Sequence, residues 1–228
     1  LFSRIPSAAP VPFKSTAPIP PAPHRSISQT NKPVTAIQIG FGPGVTANSP
    51  DYPAMRMLSN VLSSFPSGWL EQELRGRGPG LVYAVGAGSF VGLEPGYFSI
   101  MFNTEATQVS EALRRAMAVV ERARTETIDN KTLARAKATI LTDEFTSKQS
   151  LENLATDVAI NELYGKGLDY SERFLETVQQ MDAKQLRQAA VQYLKNPVLV
   201  LISNAPISQE TLDDVMTRDT GILEPLPE

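Results

Sequence analysis

Four stretches of this chain alternate apolar and polar residues with a period of two, and most segments between them repeat at helical spacing. That switching restricts the fold more than any other feature. Ile27 marks the first run, over 24–30, and Ile37, Ile39 and Phe41 share one face of the second, over 34–41, after Asn31-Lys32-Pro33. Both read as strands, adjacent to one another. Runs over 81–90 and 97–103 form a further pair, joined by a glycine-bearing turn at 91–96, and are expected to make a β-hairpin. In the later run Phe98, Ile100 and Phe102 point one way while Ser99, Met101 and Asn103 point the other, as in a sheet covered mainly on one face. The run 198–202 is continuously β-branched and leucine, which predicts a strand buried on both faces.

Helices should supply the cover. Ser49-Pro50-Asp51 offers helix-start chemistry before Met55, Leu58, Val61 and Leu62, predicting a helix over 51–63. Ser67 is placed to cap a short second helix from Trp69 to Arg75. Val109, Leu113, Ala116, Met117 and Val120 predict one over 106–126, and Leu133, Ala136, Ile140, Leu141 and Phe145 another over 130–147. A third opens at Ser150 and carries Leu151, Leu154, Val158 and Leu163 to the stop at Gly165 and Gly167. Shorter helices are expected over 171–180 and 183–194, the latter with Asp182 and Gln185 in capping-box spacing. The class is α+β: a mixed, largely antiparallel sheet with helices packed over it. Seven prolines within residues 1–23 make that segment read as an extended linker. The body should then span 24–204 and a polar tail 205–228. A start at Leu1 rather than Met suggests a piece of something longer.

What the chain lacks narrows its chemistry. There is no cysteine and one histidine, His24, so a zinc site of the usual His/Cys type has no ligand set here. Asp and Glu do not cluster near a loop as an all-carboxylate metal site needs. No G-x-S-x-G elbow accompanies the lone histidine, which excludes a serine triad. Gly86-Ala87-Gly88 lies inside a predicted strand, and Gly42-Pro43-Gly44 lacks both a third glycine and a P-loop lysine, so both read as turn or bulge glycines. A net charge of −3 gives no basic surplus for nucleic acid, and no apolar run is long enough to span a membrane. The chain alone is therefore expected to have no catalytic and no metal-binding residues.

One constellation remains. Leu70-Glu71-Gln72-Glu73-Leu74-Arg75 is followed by a glycine-rich turn and then by Gly80-Leu81-Val82-Tyr83-Ala84-Val85. An arginine ending a helix and a tyrosine entering a strand would put two strong donors on one rim of the sheet. Together they could hold the carbonyls of an extended peptide without reading its side chains. The competing reading has Arg75 binding helix C-terminal carbonyls while Tyr83 packs half-buried.

The string from Leu58 to Ala87, LSNVLSSFPSGWLEQELRGRGPGLVYAVGA, resembles a region of the inverzincin zinc peptidases, the family of pitrilysin, insulin-degrading enzyme and the mitochondrial processing peptidases. The order of elements over 24–204 agrees. The resemblance implies one repeat domain of the processing-peptidase fold. Such enzymes pair a half carrying the inverted H-x-x-E-H zinc motif with a half that lacks it. This chain has no H-x-x-E-H and so resembles the second, noncatalytic half. By that resemblance the chain would hold no cofactor, with zinc in the partner half, and Arg75 and Tyr83 would bind the substrate backbone. The turn is one residue longer than the family's usual spacing, which leaves Arg77 as a competitor for the arginine role. The implied partners are the catalytic half, joined or separate, and a peptide substrate; a homodimer is also open. Alternatives are a nonproteolytic scaffold, since the fold also serves in respiratory-complex core subunits, and a free-standing peptide-binding module. A soluble location, cytoplasmic or periplasmic, is expected.

Overall fold

The structure is a computed structural model, and it describes residues 24–76 and 80–207. The linker reading over 1–23, Arg77 and the tail beyond residue 207 lie outside the described residues. Strands β1 (His24–Gln29) and β2 (Thr35–Phe41) come first, followed by helix α1 (Tyr52–Ser63) and a short helix α2 (Trp69–Glu71) that widens into a π-type turn over Gln72–Gly76. Strands β3 (Val85–Phe90) and β4 (Tyr97–Thr104) form the expected hairpin. Then come α3 (Val109–Thr125), α4 (Asn130–Ser147), α5 (Leu151–Leu163), α6 (Tyr170–Gln180), α7 (Ala183–Tyr193) and β5 (Val198–Ser203). Among the described residues the strands make one five-stranded sheet in the order β1-β5-β2-β4-β3, antiparallel except where β1 pairs parallel with β5. This is the α+β class read from the sequence.

The core lies between one face of the sheet and α1, α3 and α7. Ile37, Ile39 and Phe41 of β2, Phe98 and Ile100 of β4, and Leu199 and Leu201 of β5 all turn inward and are buried. They meet Met55, Leu58 and Leu62 of α1, Leu113 and Met117 of α3, and Leu186 and Ala190 of α7. The sheet is closed internally by a buried bond between the hydroxyls of Thr35 and Ser203, 2.7 Å apart. Two start signals work as their sequences suggest: Ser150 Oγ accepts from the Asn153 amide at 3.3 Å, and Asp182 and Gln185 form a reciprocal capping box.

Several expectations are corrected. The sequence-adjacent strands β1 and β2 do not pair; β5, from the far end of the chain, inserts between them. β5 is not buried on both faces. Helices cover one side of the sheet only, so Val200 and Ile202 are exposed alongside Met101 on the other. The open face is a shallow trough that also includes Ala36, Gln38 and Asn103. Gly68, not Ser67, caps α2, because the chain doubles back so tightly that a Cβ there would lie 2.7 Å from the Leu62 carbonyl oxygen. Asp51 does not cap α1 with its side chain; its carboxylate accepts from the Tyr193 hydroxyl at 2.7 Å, tying the start of α1 to the end of α7. The stripes of α4 and α5 are the largest departure. α4 buries Ala136 and Ile140 but leaves Phe145 exposed, and in α5 only Asn161 is buried.

Candidate functional site

Arg75 owes its place to two irregularities around α2. Trp69, Leu70 and Leu74 bury one side of the element, and the Arg122 guanidinium lies 3.9 Å over the Trp69 ring, so α2 is fixed against α3. The wide turn over Gln72–Gly76 is held from outside by Arg115, whose Nη1 donates to the Glu73 carbonyl oxygen at 3.4 Å. Such i→i+5 turns rotate the following side chains relative to a regular helix. Arg75 is consequently carried to the surface while Leu74 stays in the core.

Tyr83 is placed by the segment ahead of β3. Gly80 has φ of +64°, a conformation that favours glycine, and turns the chain back toward the sheet. Leu81 and Val82 are then buried, and Thr104 Oγ1 donates to the Leu81 carbonyl oxygen at 2.7 Å. With its neighbours pinned, the Tyr83 ring projects into solvent and is 87% exposed. The sequence placed Tyr83 within a strand, but β3 begins two residues later at Val85. Tyr83 is thus a loop residue on a buried, hydrogen-bonded footing, and the half-buried alternative does not hold.

The two side chains meet. The Arg75 guanidinium carbon lies 5.9 Å from the Tyr83 ring centroid and 4.9 Å from that of Phe65, itself exposed. Glu71, one turn back and only 6% exposed, forms an ion pair with Arg75 at 3.5 Å. The result is a guanidinium held by a buried carboxylate, with two exposed aromatic rings beside it and a phenol hydroxyl at the edge. Such a group can donate to carbonyl or carboxylate oxygens and offers apolar ring surface next to them. Sequence reasoning missed Glu71 and Phe65 as partners. The i,i+4 spacing of Glu71 and Arg75 could have revealed the first, whereas Phe65 comes from an aperiodic turn that carries no such signal.

The β3 edge beside this site is partly closed. Ala87 donates its amide to Ser63 Oγ at 3.0 Å, and that hydroxyl donates to the Ala87 carbonyl oxygen at 3.2 Å. The middle of the edge strand is therefore strapped to α1 and cannot pair with another strand at that residue.

Among the described residues no group of three or more His, Cys, Asp or Glu could hold a metal ion, and no helix is long and apolar enough to cross a membrane. The residues therefore do not fit a zinc centre. A second cluster gathers three tyrosines around a lysine. Lys166 Nζ sits 4.1 Å over the Tyr170 ring, with Tyr52 and Tyr164 at 5.4 and 5.8 Å. Burial pulls the Lys166 ammonium below its ordinary value, and burial, aided by Tyr52 and Glu144, pushes the Tyr170 phenol up to about 12.

Comparison with known proteins gives the site its context. The sequence model of the family described as "Peptidase M16 inactive domain" matches residues 1–140. A solved peptidase M16 inactive domain from Pseudomonas fluorescens is 21% identical, with a TM-score of 0.78 over 88% of this chain and 48% of that one. A protease from Helicobacter pylori is 16% identical, with a TM-score of 0.76 over 88% of this chain and 48% of that one. A chain of complex III2 from Candida albicans is 15% identical, with a TM-score of 0.69 over 84% of this chain and 49% of that one. At these identities the structures speak for the fold, and the chain spans about half the length of each of the three. No curated protein matches. The sequence model covers more than half of the chain, and the sheet and helices reproduce the neighbours' fold, so the chain belongs to the peptidase M16 inactive-domain family.

Proposed function

We propose that this domain is the noncatalytic half of a zinc peptidase and holds the backbone of an extended peptide with Arg75 and Tyr83. The observation that carries the reading is the guanidinium fixed by buried Glu71 between the exposed rings of Phe65 and Tyr83. A fixed guanidinium and a phenol can each donate to a peptide carbonyl, which selects for backbone and tolerates any side chain. Positioning of this kind converts binding into rate by keeping the scissile bond where chemistry occurs. Zinc and the water-activating carboxylate belong to the partner half in this reading, and this chain's residues bind and orient only. The sequence-derived division into a linker over 1–23, this domain and a tail over 205–228 is part of the proposal.

The test is peptide cleavage by the two halves together, with Arg75→Ala/Tyr83→Ala in this one. A lost charge-assisted hydrogen bond is worth about 1.5–3 kcal/mol and a neutral one about 1 kcal/mol, so kcat/KM should fall roughly a hundredfold or more. Unchanged cleavage would give the site to another role. A scaffold is the second reading, favoured by the likeness to a chain of complex III2; it predicts intact assembly with no cleavage to lose. Peptide affinity of this chain by itself would instead point to a free-standing binding module.

A further inference from the structure

Seven of the 13 residues of α5 are apolar, and most of its large side chains are uncovered. Leu151 is 83% exposed and Leu163 78%, Leu154 and Ile160 are also open, and at helical spacing these four are spread around much of the axis rather than along one stripe. Large apolar side chains on a helix are ordinarily covered. The apolar surface continues past both ends, to exposed Phe145 on α4 and Leu168 beyond the Gly165-Lys166-Gly167 turn. An exposed surface of this kind in a folded domain marks a docking site.

Charge indicates what docks. From Asp143 to Leu168 the sequence has five acids, Asp143, Glu144, Glu152, Asp157 and Glu162, against two bases, Lys148 and Lys166. A second copy of this chain would have to present the same patch to itself, setting acids against acids. An apolar groove rimmed by Lys and Arg fits instead. Size adds a requirement: a helix of 13 residues is about 20 Å long and about 10 Å across, too small alone for the roughly 800 Å² that each side of a stable interface buries. The partner must therefore be a domain broad enough to reach Phe145 and Leu168 together. Matched chains twice this length supply a domain-sized remainder of about the right extent.

We infer that α5, with Phe145 and Leu168 at its ends, is the surface on which the metal-bearing half of the peptidase docks, through an apolar groove edged with Lys and Arg. This rests on the two-half reading above. Leu151→Asp/Leu163→Asp replaces two solvent-facing side chains and leaves the core alone, so circular dichroism and melting should match the parent. Binding to the H-x-x-E-H half, read by sedimentation, should weaken at least a hundredfold. Glu152→Lys/Glu162→Lys should weaken it about tenfold or more, with loss of its salt dependence, and amides of α5 should gain exchange protection in the complex. Equal binding by parent and Leu151→Asp/Leu163→Asp would overturn the inference and leave the two-half reading standing. Self-association of this chain that the same substitutions abolish would assign α5 to a second copy and overturn it likewise. No binding by the parent chain at all would remove both.

Discussion

Glu71→Gln probes whether Arg75 is held in place or merely present. Two unit charges 3.5 Å apart attract by about 5 kcal/mol at an effective dielectric of about 20 and by about 1 kcal/mol in water. The Glu71 carboxylate is buried, but the Arg75 side chain is 39% exposed, so solvent pulls the pair toward the lower figure, about 1–2 kcal/mol. Each ring contact adds about 0.5–1 kcal/mol, so Glu71 supplies roughly half of what fixes the guanidinium. Gln keeps the volume and removes the charge. If positioning matters, kcat/KM for peptide cleavage by the two-half enzyme should fall about five- to thirtyfold, with a stability loss of no more than about 1–2 kcal/mol. The decisive comparison is the double variant. With Arg75→Ala already made, adding Glu71→Gln should cost nothing further in activity and should recover stability, because Arg75→Ala alone leaves a buried carboxylate without its cation. An equal activity loss in both backgrounds would show that Glu71 acts generally on the fold, and no loss in either would show that the rings alone hold Arg75.

Three further outcomes follow from the geometry. Gly96→Ala would place a Cβ 1.7 Å from the Phe90 carbonyl oxygen, so the β3–β4 turn must rearrange, and chemical denaturation should show a loss of roughly 3 kcal/mol or more. Asp182→Ala removes the α7 capping box and should cost about 1 kcal/mol by the same measurement. The Tyr170 phenol is raised from its ordinary value of 10.0 to about 12 in the folded state, so its contribution is complete below about pH 10 and lost as pH rises toward 12. Stability should therefore decline over that window more steeply than in Tyr170→Phe, with absorbance at the phenolate band following Tyr170 directly; a parallel decline in both proteins would refute the assignment.

Most of the fold was legible because the signals behind it are local. The alternation in β2 and β4, the helical spacing of α1 and α3, and the caps at Ser150 and Asp182 all come from residues within a turn or two of each other. Strand order was not local: β5 reaches its place between β1 and β2 from beyond five intervening helices, and no feature of residues 24–41 signals that a strand so distant will separate them. The same limit explains Tyr83. At period two it would share a face with Leu81 and Val85, but the segment is anchored by Thr104 from the end of β4 rather than by a ladder, so Leu81 and Val82 are buried while Tyr83 is exposed.

α5 failed for a different reason, and that reason is informative. Leu151, Leu154 and Leu163 were expected to face a core because apolar residues at helical spacing usually do, and the physics behind that expectation is not in error. Helices α1, α3 and α7 bury their stripes on the covered side of the sheet, which leaves α5 no place in that core. Its apolar surface is surplus to this domain. A sequence fitted only to its own fold would have replaced such residues with polar ones at no cost to stability, since solubility alone favours that exchange. On the two-half reading proposed above, the mismatch between pattern and burial is what this domain should show where it meets its partner. Around Arg75 the surplus is of another kind: a buried carboxylate is spent on orienting a cation toward solvent, where the domain itself gains little from it. On the proposed reading both surpluses serve surfaces outside this chain's own core.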